Sequence, residues 1–133
     1  MIFHHFSELP RSEWRWPNFS PGELACTCCG EFFLHEDSLD AIQTARNEIA
    51  APLVINSAHR CVIHNARIGG APLSQHKKIA FDVNLAGHDR MALFEILRQA
   101  GFSGFGFYRS FIHADMGRPR NWFGNGAKDQ WTF

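Results

Sequence analysis

The sequence predicts an α+β fold, a small antiparallel sheet with flanking helices, on three observations. Residues 38–50 and 89–100 repeat apolar side chains at three- and four-residue steps, as amphipathic helices do. Residues 53–56, 79–85, 104–108 and 111–115 are short runs of strand character. No repeat or low-complexity tract interrupts them. A length of 133 residues suits one core, so a single domain over 1–133 is expected. Hydrophobic residues at 45% against 20% charged exclude a disordered chain.

Along the chain, Pro10, Pro17 and Pro21 among scattered aromatics make residues 1–22 an irregular arm packed on the body. Leu39, Ile42, Ala45 and Ile49 mark the stripe of the first helix, and Pro52 stops it. Leu53-Val54-Ile55-Asn56 reads as a strand, and Ser57 to Leu73 as a long loop closed by Gly69-Gly70-Ala71-Pro72. Between Ile79 and Leu85, Ala80, Asp82 and Asn84 fall on one face of a strand. Ile79, Phe81, Val83 and Leu85 fall on the other, and this apolar set faces the core. Asp89 to Ala100 is the second helix, with Met91, Phe94 and Leu97 at helical spacing and Gly101 just past its end. Strands at Gly104–Tyr108 and Phe111–Asp115 are joined by a tight turn at Arg109-Ser110.

Thirteen basic and thirteen acidic residues give a formal net charge of zero, which leaves no broad footprint for nucleic acid or an anionic membrane. No segment approaches the roughly 18 apolar residues of a membrane span. The start, Met1-Ile2-Phe3-His4-His5, lacks the basic patch and apolar run of a secretory signal. The expectation is a monomer made in the cytoplasm that meets an external target only after export or release. Thirteen Phe and four Trp are many for this length, so some should line a groove. Cys26, Cys28, Cys29 and Cys61 admit three readings: buried free thiols, one disulfide to Cys61, or a second metal on Cys61 and its neighbours. The spacing does not have the paired C-x-x-C of a zinc ribbon.

The chemistry gathers in two pairs. His76 lies in a loop six positions before Asp82, which sits on the polar face of its strand. His113 and Asp115 are two apart on a strand and share a face, so they can meet the first pair across the sheet. Two His and one carboxylate make a catalytic zinc set with a fourth position open for water. An acid between Phe81 and Val83 is costly to bury unless a cation or hydrogen bonds compensate it.

These residues resemble the zinc D-Ala-D-Ala peptidases of the M15 type, relatives of phage endolysins and of the hedgehog signalling fold. The family's block S-x-H-x-x-G-x-A-x-D is matched by Ser74-Gln75-His76-Lys77-Lys78-Ile79-Ala80-Phe81-Asp82, with Ile79 read in place of the glycine. Ser57-Ala58-His59-Arg60 stands where the family shows S-G-Y-R, followed by His64-Asn65 and Gly69-Gly70. Gly104-Phe105-Gly106-Phe107-Tyr108 and His113-Ala114-Asp115-Met116-Gly117 are similar to the G-x-G-x-Y and H-x-D-x-G blocks of its murein endopeptidase branch.

The resemblance implies a hedgehog/DD-peptidase-like fold, Zn2+ on His76, Asp82 and His113, and a peptide bond of the peptidoglycan stem peptide as substrate, in an endolysin-like or wall-remodelling role. It also implies that Arg60 binds substrate or steadies an oxyanion; pairing with Glu48 or Asp82 is the alternative. Ser74, Tyr108 and His59 are candidates for substrate binding. The general base of other branches falls here on Ser110 or Phe111, which cannot serve. Asp115 is the remaining carboxylate, as base or as the group that orients a ligand histidine. Ile79 is expected to narrow the approach to the metal. The rival reading is a zinc-stabilised module that binds peptidoglycan or a protein without cutting it.

Overall fold

The computed structural model describes all residues, 1–133. Its centre is a five-stranded sheet built from β3 (Ile55–Ser57), β4 (Phe81–Asn84), β5 (Gly104–Phe107), β6 (Phe111–Asp115) and β7 (Arg120–Phe123) in the order β3-β4-β6-β5-β7. Four strands pair antiparallel as expected; β7 adds itself to β5 in parallel, a strand the sequence did not reveal.

Alternation divides the sheet into two faces. Phe81, Val83, Ile112, Ala114, Phe105 and Phe107 point to one side and are essentially sealed from water. The helices α2 (Glu36–Ile49) and α4 (Arg90–Ala100) cover that side with Leu39, Ile42, Ala45, Leu93 and Leu97. Each such Leu or Phe contributes about 1.5–3 kcal/mol of burial. The α2 stripe is the expected one, although the helix begins before Ser38: His35 caps it by accepting from the Ser38 N–H at 3.3 Å. Asp89 caps α4 through the Ala92 N–H at 2.9 Å, and Gly101, at φ 118°, ends it in the left-handed region that favours glycine.

Two expectations of irregular chain need correction. The arm contains β1 (Ile2–Phe3), which pairs with β2 (Phe32–Phe33), and a short helix α1 (Pro21–Leu24). Ser20 and Glu23 close α1 with a reciprocal capping box, since each side chain accepts from the other's backbone N–H. The loop after β3 holds α3 (Val62–Arg67), a six-residue helix that buries only Asn65 and leaves Val62 and Ile63 in solvent. It has no apolar stripe for a sequence reading to find. No helix is long and apolar enough to cross a membrane.

Candidate metal centre

The polar face of the sheet carries the site, and strand register assembles it. Asp82 on β4 lies opposite His113 on β6, and His113 opposite Gly106 on β5, which pairs in turn with Trp122 on β7. His76 approaches from a single turn of 3-10 helix, Gln75–Lys77, capped by the Ser74 hydroxyl, which accepts from the His76 N–H at 3.1 Å.

Three ligand-type atoms converge. Asp82 Oδ1 lies 3.1 Å from His76 Nε2 and 3.0 Å from His113 Nδ1. What stands behind each ring decides the character of these nitrogens. His76 Nδ1 is 2.6 Å from the Ala58 carbonyl, which can only accept, so Nδ1 carries the proton and Nε2 presents a lone pair. His113 Nε2 donates to Asp115 Oδ2 at 2.6 Å, which leaves Nδ1 to face Asp82. His76 Nε2 is buried without a hydrogen-bond partner. Neutral rings so held aim two lone pairs at one carboxylate oxygen, an arrangement that repels itself until a cation sits between. Two His nitrogens and a carboxylate within 4.8 Å of one another fit a divalent metal with a position left for water.

A proton can take the place of the cation: burial alone would raise the Asp82 carboxyl, but rings of His113 and His76 that carry protons towards it outweigh burial and hold it down at about 2. Burial likewise opposes charge on His113, yet Asp115 and Asp82 raise its pKa above the ordinary imidazole value.

Asp115 has no exposed surface. Its Oδ1 accepts from Arg120 Nη1 at 2.7 Å and the Gly117 N–H at 2.9 Å, and its Oδ2 from Arg120 Nη2 at 2.8 Å as well as from His113. Burial would raise this carboxyl; Arg120, His113 and Gly117 together hold it well below the usual range. With all its acceptor positions taken, it has no lone pair to receive a proton from water. The general-base expectation for Asp115 therefore fails on geometry, whereas the ring-orienting one fits.

A cleft of about 480 Å³ opens over the three donors, and Arg60, Ser74, Tyr108, Phe111, Arg120 and Trp122 are among its walls. Arg60 Nη2 donates to Ser74 Oγ at 3.0 Å, while its Nε is buried without a partner. Burial lowers the Arg60 pKa, with Asp82 opposing the shift. Tyr108 stacks on Phe111 at 4.3 Å between centroids and accepts from Trp122 Nε1 at 2.8 Å.

His59 does not reach the cleft. It is 2% exposed, its Nε2 meets Glu31 Oε1 at 2.8 Å, and its Nδ1 meets the Lys78 carbonyl. It ties the chain before β4 to the segment before α2 and is no substrate contact. Ile79 does not narrow the approach either, being 4% exposed, packed in the core and absent from the cleft walls. The block from Ser74 to Asp82 has nine residues where the family pattern has ten, so the glycine is missing rather than replaced by Ile79.

Sequence reasoning overlooked Arg120 and Trp122. Their signal was a spacing of two that matches Gly104 and Gly106 in β5. A Cβ on Gly104 would lie 1.9 Å from Arg120 Nη1, and one on Gly106 would lie 2.6 Å from the Trp122 ring. The two glycines are the space those side chains fill.

No curated protein matches the chain. A family model described as Peptidase M15 matches residues 17–115, a stretch that runs from the arm through the last strand of the metal centre and takes in every donor and its supports except Arg120 and Gly117. Members of that family are metal-dependent peptidases, which is the chemistry the convergent lone pairs call for, and the chain belongs to it.

Proposed function

We propose that this protein hydrolyses a peptide bond in bacterial peptidoglycan stem peptides, as a D-Ala-D-Ala carboxypeptidase or endopeptidase with zinc as its metal. The observation that carries the reading is the three-donor centre on the floor of a cleft whose wall holds a half-buried arginine. His76 Nε2, Asp82 and His113 Nδ1 would hold the ion. Zinc in such a site polarises a carbonyl and lowers the pKa of its water to about 7.

The remaining tasks fall to the chain. Arg60, fixed by Ser74 and partly dehydrated, offers its planar fork to a terminal carboxylate or to the negative charge that grows on the scissile oxygen. Tyr108, stacked on Phe111, and Ser74 line the path of the peptide. Asp115 is a positioning residue: it keeps the proton on His113 Nε2 and is itself held by Arg120. Release or export of the protein to the wall completes this reading.

One observation favours the rival reading, a module that binds stem peptide or a protein without cutting it. Apart from the three donors, no carboxylate or histidine lines the cleft, and Phe111 stands where a base would. Muropeptides incubated with the purified chain, with and without chelator, separate the two by mass spectrometry. Chelator-sensitive loss of a terminal alanine or scission within the stem is the expected result. Retention of intact muropeptide with no new mass would overturn the enzyme reading.

A further inference from the structure

The four cysteines come together at a distance from the cleft floor. Cys26, Cys28 and Cys29 follow α1 in a tight turn, in which the Gly30 N–H donates to the Cys26 carbonyl at 2.8 Å and Gly30 takes φ 79°. Cys61 arrives from the far side as the cap of α3, where its Sγ accepts from the His64 N–H at 3.3 Å. All four Sγ atoms lie within 4.8 Å of one another, and Cys28 is 3.5 Å from both Cys26 and Cys61.

We infer that Cys26, Cys28, Cys29 and Cys61 form a second, structural metal site that binds zinc through four thiolates. A tetrahedral ion with Zn–S bonds of about 2.3 Å sets its sulfurs about 3.8 Å apart, close to the spacing seen here. A disulfide requires sulfurs at about 2.05 Å, and all four thiols are free. Core packing does not explain the cluster, because Cys28 and Cys29 are exposed while Cys26 and Cys61 are buried.

A bound cation lets four clustered thiolates ionise together. Arg67 lies in the same surface hollow, near the excess negative charge of a four-thiolate site.

The site has a task in the fold. Helix α3 lacks an apolar face to hold it, yet it connects Arg60 to the Gly70–Ser74 wall of the cleft. Bonds to an ion shared with the turn at Cys26–Cys29 supply the anchor that packing does not.

The inference is independent of the proposed activity, and metal analysis of the full chain keeps the two apart. Purified under reducing conditions, the wild type should hold about two equivalents of zinc, and Cys28→Ser with Cys61→Ser should lower this to about one. His76→Ala should also lower it to about one, from the other site. Cobalt loading of the wild type guards against a variant that fails to fold, because thiolate ligation adds an intense sulfur-to-cobalt charge-transfer band. One metal with that band supports the cysteine site and counts against the histidine one. Metal without that band, or a disulfide among these cysteines in the reduced-purified protein, overturns the inference.

Discussion

Around the metal centre, single residues act by deciding where a neighbour's proton sits. Asp115 keeps it on His113 Nε2 and the Ala58 carbonyl keeps it on His76 Nδ1, so the lone pairs face Asp82. Asp115→Asn can present its amide to the ring and release Nε2 from that role. Metal affinity should then weaken by roughly 10–100-fold, with much of the activity restored by added zinc. A competition titration against a chelator measures this. Unchanged affinity with kcat reduced by roughly 10²–10⁴ would instead return Asp115 to the role of base. Arg60→Lys should lower kcat/KM strongly with metal content intact, because lysine keeps the charge but loses the two-pronged contact. Acidity acts on the same atoms. Without metal, His113 has a folded pKa raised above 6.5, so its stabilising contribution is full below 6.5 and lost as pH rises through the raised value. Asp82 is depressed to about 2, so its contribution is present above 3.8 and lost as pH falls through about 2. Metal must displace the proton on His113, and below that raised pKa its affinity should fall about tenfold per pH unit. Equilibrium dialysis at pH 8 and pH 5 checks the sign.

Among the elements, the strands show what was legible and what was not. β4 declared itself through alternation, and with it came the burial of Phe81 and Val83 in the core while Asp82 turns to the floor of the cleft. The stripes of α2 and α4 were equally plain, since Leu39, Ile42, Leu93 and Leu97 are all fully buried. α3 was invisible because it has no stripe. β7 was invisible because Arg120-Asn121-Trp122-Phe123 has no buried face, and its existence rests on parallel pairing with β5, a long-range contact. The G-x-G of β5 resembles a block of the family, but its physical content is cross-strand: the absent side chains leave the space that Arg120 and Trp122 fill. Gly104→Ala tests this. Its methyl would lie 2.3 Å from Asp115 Oδ1, an atom on a short buried side chain that cannot withdraw as the arginine can. The pair must open and leave the Asp115 charge buried without its partner, a loss on the order of 3–5 kcal/mol. Thermal stability and metal affinity should fall together. A variant that loses stability and keeps wild-type affinity would show that Arg120 does not act on the metal through Asp115.

Over the whole molecule, the sequence revealed the centre because its donors sit in two short-range pairs, each on an element with a strong period. It did not reveal the partners of His59 and left the gathering of the cysteines open among three readings, because Glu31 and Cys28 reach those sites from segments about thirty residues away. The prolines of the arm predict irregular backbone but say nothing of how firmly it is held. It is held firmly. Trp16 is 1% exposed and donates from Nε1 to Asp40 Oδ1 at 2.8 Å on α2, and Trp14 Nε1 donates to the Phe19 carbonyl at 2.8 Å. Leu9, Trp16 and Phe19 belong to the same core as the sheet. Residues 1–22 therefore pack as part of the core, and the buried Trp16 indole anchors them on α2. Trp16→Ala should cost about 3–5 kcal/mol, a large part of the stability of a chain this size. The melting temperature should drop by roughly 10–20 °C, read by circular dichroism with zinc saturating. Trp16→Phe restores most of the apolar volume without the Asp40 hydrogen bond and should recover more than half of that loss. If Trp16→Ala melted within about 3 °C of the wild type, the arm would be an appendage and the core would begin at residue 23.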